Sequence, residues 1–248
     1  MVLYPEIFSD ANAHPFGEDI LNQFDITAGR VWFFYTAMEQ KRDARRIAHV
    51  FLKQVLARCT GRSAEAVWFT QNRYGRPELA PGVTDQPVRF NFSHTGDLAV
   101  CAVTLSHDIG VDVEHLERPV NLSIADRFFS HQEAEAISRA DASLKQPLFF
   151  RFWTLKEAYA KATGRGLAIG LDQFSFVLDR PEIQVRFHRP GPGQDHSGHG
   201  SGHWQFFQFS PVPGYMAAVA VNKKDAPLLT LSVRPFKSRP GRAWHPPL

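Results

Sequence analysis

Two cysteines in 248 residues are too few for a disulfide framework. Cys59 and Cys101 lie far apart, each within an apolar stretch, and read as buried thiols of a reducing compartment rather than a bridge or a nucleophile. Long apolar runs are missing as well: none reaches the roughly 20 residues that cross a bilayer. The first thirty residues scatter Glu6, Asp10, Glu18 and Asp19 among apolar positions, unlike a secretory signal. A cytoplasmic protein without membrane attachment is therefore expected. An excess of one charge is also lacking. Lys and Arg total 28 against 25 Asp and Glu, a formal charge of +3, with no dense basic clusters of the kind that track a nucleic-acid backbone. No Gly-x-x-x-x-Gly-Lys-Ser/Thr loop occurs, which argues against chemistry driven by a nucleoside triphosphate. What remains is ordinary globular composition, 44% apolar and 21% charged, in a chain long enough for one large core or two modest ones.

The apolar pattern divides that chain into two halves of similar plan. Residues 31–35 predict a buried strand, and Ile47, Val50, Phe51, Leu52 and Val55 lay an apolar stripe along a helix over 43–58. A strand at 66–70 follows; Gly75, Pro77, Pro81, Gly82 and Pro87 then make 73–87 a loop, ahead of strands at 88–92 and 98–104. The second half opens with a strand at 109–113. Ser130, with Glu133 three residues on, forms a capping-box pattern that starts a helix. A longer helix over 146–163 stops at Gly164, and strands follow at 174–178 and 204–209. Gly96-Asp-Leu-Ala-Val-Cys-Ala-Val103 is matched by Gly214-Tyr-Met-Ala-Ala-Val-Ala-Val221, which suggests the same hairpin strand in each half. The prediction is an α+β fold with boundaries at 1–106 and 107–222, and a ligand cleft between the halves. The Gly/Ser/His-rich run 189–203 reads as a mobile loop, even with His196, His199 and His203 in it. Residues 223–248, with five prolines and several basic residues, read as a weakly ordered tail.

Four clusters carry candidate chemistry. In Gly110-Val-Asp-Val-Glu114 side chains alternate, so Asp112 and Glu114 share one face of a strand, opposite Val111 and Val113. Carboxylates so close repel unless solvent or a cation intervenes, and magnesium takes such oxygens together with substrate phosphates. On the long helix Glu157 and Lys161 are four apart and share a face, which suits a ligand or base beside a phosphate clamp. Asn91-Phe-Ser-His-Thr-Gly96 sits at a strand-to-turn junction, where Ser93 and His94 can donate to phosphate alongside the turn amides. Neighbouring side chains diverge in extended chain, so a serine hydrolase built on Ser93, His94 and Asp97 is poorly placed. Tyr74-Gly-Arg-Pro77 offers the Arg76 guanidinium as a bidentate phosphate grip, and Arg45 and Arg46 invite the same comparison. Taken singly, each cluster has a plainer reading: a wet acidic strand face, a surface ion pair worth about 0.3–0.5 kcal/mol, a capped turn, an exposed loop arginine.

Together and in order, these clusters make a pattern. Tyr-Gly-Arg-Pro, Phe-Ser-His-Thr-Gly, Gly-Val-Asp-Val-Glu, Phe-Phe-Ser-x-x-Glu (Phe128 to Glu133) and Trp-Thr-Leu-Lys-Glu-Ala-Tyr-x-Lys (Trp153 to Lys161) occur in succession. The chain resembles the 4′-phosphopantetheinyl transferases of the type that activates surfactin synthetase, over roughly residues 30–222. That resemblance implies a monomeric pseudo-dimer of two similar α+β halves, each a small antiparallel sheet on a long helix, with coenzyme A bound in the cleft between them. Mg2+ would be the cofactor and apo acyl or peptidyl carrier proteins the partners. Asp112, Glu114 and Glu157 would be the metal ligands, placing the metal site in the second half. His94 and Lys161 would contact the pyrophosphate. Arg76, where the family more often has lysine, and Ser93 would hold the adenosine 3′-phosphate end, helped by Arg45 or Arg46. Trp153 would pack, and Lys156 would support the coenzyme A site. A carrier serine would attack the pantetheine-bearing phosphorus and release adenosine 3′,5′-bisphosphate. The implied base is Glu157, with a magnesium-bound water as the alternative. Carrier docking would fall near the connection after Glu114, where Phe128 and Phe129 lie. The rival readings are a coenzyme A-binding module without turnover and a different magnesium-dependent phosphoryl or nucleotidyl transferase.

Overall fold

The computed structural model describes residues 26–38, 44–188 and 203–237. In chain order its elements are β1 (Arg30–Ala37), α1 (Ala44–Thr60), β2 (Phe69–Gln71), β3 (Pro77–Leu79), β4 (Val88–Thr95), β5 (Leu98–Leu105) and β6 (Ile109–His115). There follow α2 (Ile124–Phe128), α3 (His131–Arg139), α4 (Ala142–Ala162), β7 (Phe174–Val177), β8 (Gln184–Phe187), β9 (Trp204–Phe209), β10 (Tyr215–Asn222) and β11 (Thr230–Pro235). One main sheet has the order β11-β1-β5-β4 and the other β6-β10-β9, while β2–β3 and β7–β8 are two-stranded ribbons.

Alternation along the strands builds a stack of helix, sheet, sheet and helix. On β1, Trp32 and Phe34 join Ala48, Phe51, Leu52, Val55 and Leu56 of α1 in one core. Val31 and Phe33 point the other way, into a core shared with Val111 and Val113 of β6 and Ala217, Val219 and Val221 of β10. The remaining face of β10, Ala218 and Ala220, packs with Phe150, Leu155 and Ala158 of α4. Helix α4 lies directly on β6: a Cβ at Gly110 would stand 2.0 Å from the Ala158 carbonyl oxygen and 2.4 Å from the Ala162 nitrogen. Only glycine admits that approach.

Strands β4 and β6 are edge strands of their own sheets and run side by side without a shared ladder. Side chains bridge the gap instead. Asn91 Oδ1 accepts the Val111 N–H at 2.9 Å, Ser93 Oγ donates to Asp112 Oδ1 at 3.0 Å, and Thr95 Oγ1 donates to Glu114 Oε2 at 3.2 Å. Strand-edge groups that would otherwise lack partners are thereby satisfied, and this polar seam is where the candidate site lies.

Several expectations change. The first sheet is mixed rather than antiparallel, because β11 pairs with β1 in parallel, Arg30 facing Thr230. The tail is therefore not a weakly ordered extension over 230–236. Leu231 and Val233 alternate onto the inter-sheet core, and Phe236, 4% exposed, fills the α1 core. The 73–87 loop contains β3, paired with β2. Helix α4 starts at Ala142 and carries Pro147 inside it, one turn later. A proline there removes a single early hydrogen bond, a tolerable loss near a helix start. Most of the histidine-rich run, residues 189–202, and the chain ends 1–25 and 238–248 lie outside the described residues.

Candidate functional site

Three elements meet at the seam. Lys161, in the last turn of α4, places its Nζ 2.7 Å from Asp112 Oδ1, 3.1 Å from Ser93 Oγ and 3.2 Å from the Val111 carbonyl oxygen. Asp112 is 5% exposed and Glu114 8%, so the wet acidic face does not exist: these carboxylates are buried against α4. Burial pushes the Asp112 carboxyl above its usual range, Lys161 opposes that, and Glu114 adds to it. Its Oδ2 is buried with no hydrogen-bond partner. Both oxygens of Glu114 are held by Arg118, whose Nε reaches Oε2 and whose second nitrogen reaches Oε1, each at 2.8 Å. The half-buried Glu157 carboxyl is pushed up to about 7, by burial first and then by Asp112, with Lys161 pulling down and Glu114 adding.

Among the described residues, no three His, Cys, Asp or Glu side chains form a ready-made metal cage. The donor set nonetheless suits a hard divalent cation. It offers carboxylate oxygens alone, one of them an orphan, and a third carboxyl whose ionisation is disfavoured by the charges of the other two.

His94, half-buried, follows Ser93 on β4. Burial lowers its pKa, and the positive charges of Arg45 and Lys161 lower it further. Arg45, in the first turn of α1, thus reaches the same region; its neighbour Arg46 is exposed there.

Two candidates are placed elsewhere. The Arg76 guanidinium is buried and donates to the carbonyls of Ala162 (2.8 Å), Ile109 (2.8 Å) and Phe90 (3.3 Å), riveting α4, β6 and β4 together. Its terminal nitrogens are committed to backbone, which leaves no fork for a phosphate. Lys156 is fully buried, and its Nζ contacts Glu133 Oε2 at 2.8 Å and the Leu171 and Phe174 carbonyls at 2.7 Å. It cannot touch a ligand at the seam. It supports α4 from behind, tying it to α3 and β7, while Glu133 also completes the capping box with Ser130. Phe129 is core and Phe128 packs half-buried against it.

Sequence reasoning missed Arg118 and Thr95. The alternation Asn91, Ser93, Thr95 opposite Phe90 and Phe92 carried the signal for Thr95. Arg118 comes from the loop after β6, where no local rule pairs it with Glu114. A hydrolase triad is absent here: Ser93 bonds Asp112 and Lys161, whereas Asp97 accepts the Tyr215 hydroxyl.

Buried carboxylates, a lysine and a serine joined across two sheets mark a polar site with the makings of phosphate chemistry. Residues 108–220 match the family model of the 4′-phosphopantetheinyl transferase superfamily. The 4′-phosphopantetheinyl transferase HetI of Nostoc sp. (strain PCC 7120 / SAG 25.82 / UTEX 2576) is 34% identical over 171 residues, 68% of this chain and 67% of that protein. The 4′-phosphopantetheinyl transferase Sfp of Bacillus subtilis (strain 168) is 31% identical over 189 residues, 75% of this chain and 78% of that one. The holo-[acyl-carrier-protein] synthase of Thermotoga maritima overlays with a TM-score of 0.38 at 20% identity, over 47% of this chain and 63% of that one. The chain belongs to the 4′-phosphopantetheinyl transferase superfamily. Among its described residues no helix is long and apolar enough to cross a membrane.

Proposed function

We propose that this chain transfers 4′-phosphopantetheine from coenzyme A to a serine of an apo carrier protein, giving the holo carrier and adenosine 3′,5′-bisphosphate. The observation that carries this is the junction of Ser93, Asp112 and Lys161. Three motifs distant in sequence converge there through contacts of 2.7–3.1 Å, within electrostatic reach of Glu157. Phosphoryl transfer asks a protein mainly for positioning and charge neutralisation. Lys161 would exchange its bonds to Asp112 and Ser93 for pyrophosphate oxygens, with His94 beside it. Ser93 and Arg45, with Arg46 next in sequence, would hold the adenosine 3′-phosphate end; Arg76 and Lys156 are left out of the ligand contacts. Magnesium, held by Asp112, Glu114 and Glu157, would neutralise pyrophosphate charge when bound. Glu157 would take the proton of the attacking serine as general base.

A pseudo-dimer reading has support in topology. The orders β1-β5-β4 and β6-β10-β9 correspond, with each half's first strand antiparallel to its last. Strands β5 and β10 follow Gly96 (φ 56°) and Gly214 (φ 81°). On this reading residues 1–106 and 107–222 are the halves, β11 returns from the tail to the first, and the chain acts as a monomer. The carrier would dock on the connection after Glu114, over residues 115–127.

Incubation with coenzyme A, Mg2+ and a panel of apo carriers, read by intact mass, should show the gain of one phosphopantetheine. Asp112→Ala and Lys161→Ala should each lose about a hundredfold or more in rate, with the circular dichroism of the folded protein retained. No mass gain on any carrier would overturn the activity. Near-normal rates in either variant would remove that residue from it.

A further inference from the structure

We propose that Arg118 is an internal competitor of the divalent cation. It holds both oxygens of Glu114 and must release at least one for the ion to bind, so this positioning residue sets the metal affinity of the site. The proposal rests on the metal reading given above.

The two β6 carboxylates are unequally prepared. Asp112 spends Oδ1 on Lys161 and Ser93 and keeps Oδ2 buried and unpartnered, one oxygen ready for a ligand. Glu114 has no such oxygen. Arg118 takes Oε1 and Oε2 in a two-pronged contact at 2.8 Å, and Thr95 adds a third donor to Oε2 at 3.2 Å. Few lone-pair directions remain for a metal until the guanidinium moves.

The surroundings let it move. The backbone of Arg118 is pinned: its N–H donates to the His115 carbonyl at 3.2 Å, and Gln146 of α4 donates to its carbonyl at 3.3 Å. The side chain is 39% exposed, against 11% for Glu114, so the head of the arginine faces solvent while its partner does not. The guanidinium carbon also lies 5.1 Å from the Phe150 ring centre, a second contact of the same paired arrangement.

The test is titration with Mn2+, a hard ion of similar ligand preference, without coenzyme A, with the free ion followed by electron paramagnetic resonance. Arg118→Ala should bind Mn2+ about fivefold more tightly than wild type, the factor to which the ~1 kcal/mol of a part-exposed ion pair converts. Arg118→Lys should fall between, since an ammonium cannot chelate both oxygens. Glu114→Gln supplies the decisive background. There, Arg118→Ala should no longer tighten binding, as a double-mutant cycle demands of a direct contact. Equal or weaker binding in Arg118→Ala, with wild type binding normally, overturns the proposal. The same gain persisting in Glu114→Gln overturns it too, since the effect would then be long-range charge. Failure of wild type, Arg118→Ala and Glu157→Gln alike to bind Mn2+ removes the metal site itself, and the proposal with it.

Discussion

The Glu157 carboxyl is pushed from an ordinary 4.5 to about 7, chiefly by burial and then by the charge of Asp112. The folded chain therefore binds more protons than the unfolded chain between those values, and stability falls as pH rises through that window. At ~1.4 kcal/mol per pH unit the loss amounts to roughly 3 kcal/mol by pH 8. Glu157→Gln abolishes the titration. In EDTA, urea unfolding should show it roughly 1–3 kcal/mol more stable than wild type at pH 8 and nearly equal at pH 5. Identical stabilities at pH 8 would mean that Glu157 is not held against its charge. The Lys156–Glu133 pair behaves oppositely, because each ion is already satisfied. Lys156→Met strands a buried carboxylate and should cost about 3–5 kcal/mol, much of it recovered by adding Glu133→Gln, which removes the charge yet keeps an acceptor for the Ser130 and Phe176 amides. A fully destabilised double variant would show that the contacts of Lys156 with the Leu171 and Phe174 carbonyls dominate instead. At this scale the sequence revealed residue types but not their partners. Lys156 and Lys161 look alike in a helix pattern, yet one is sealed behind α4 and the other opens on the seam.

Among the elements, what is local was legible. Ser130 and Glu133 announce the start of α3 because a capping box is complete within four residues. The strand at 109–113 and its two faces follow from alternation alone. What the sequence could not show is why Gly110 stands at the head of the acidic strand. Its backbone conformation does not require glycine; the reason is α4, some fifty residues later, lying on it. Gly110→Ala should push α4 from β6 and cost upward of ~3 kcal/mol. It should also lower transfer activity, since Asp112 and Lys161 sit on the two displaced elements. A variant with wild-type midpoint and rate would show that the contact relaxes freely.

For the whole molecule, the order of the motifs pointed to the seam where Ser93, Asp112 and Lys161 meet, while the closure of the first sheet was hidden. The run Thr230-Leu-Ser-Val-Arg-Pro235 is an alternating strand set among prolines and basic residues, and its partner β1 lies near the other end of the chain. Composition pointed to a loose tail, yet tertiary pairing decided otherwise. Ending the chain at Asn222 should remove the β1 partner strand together with Leu229 and Phe236. Burial of those two side chains alone is worth about 3–6 kcal/mol. The shortened protein should unfold at lower urea and scatter light as it associates through the bare β1 edge. An unchanged midpoint and a monodisperse solution would refute the structural role of β11.

That same pairing bears on how the protein is made. Arg30 and Thr230 are separated by two hundred residues, so β1 leaves the ribosome long before its partner β11. Closing so long a loop adds little free energy beyond a short one, because the entropy grows only with the logarithm of length. The delay is in time: at 5–20 residues per second, β1 stays open along one edge for roughly ten seconds or more of synthesis. During that interval the hairpin of β4 and β5 can cover only the opposite edge of β1, so the edge reserved for β11 stays bare.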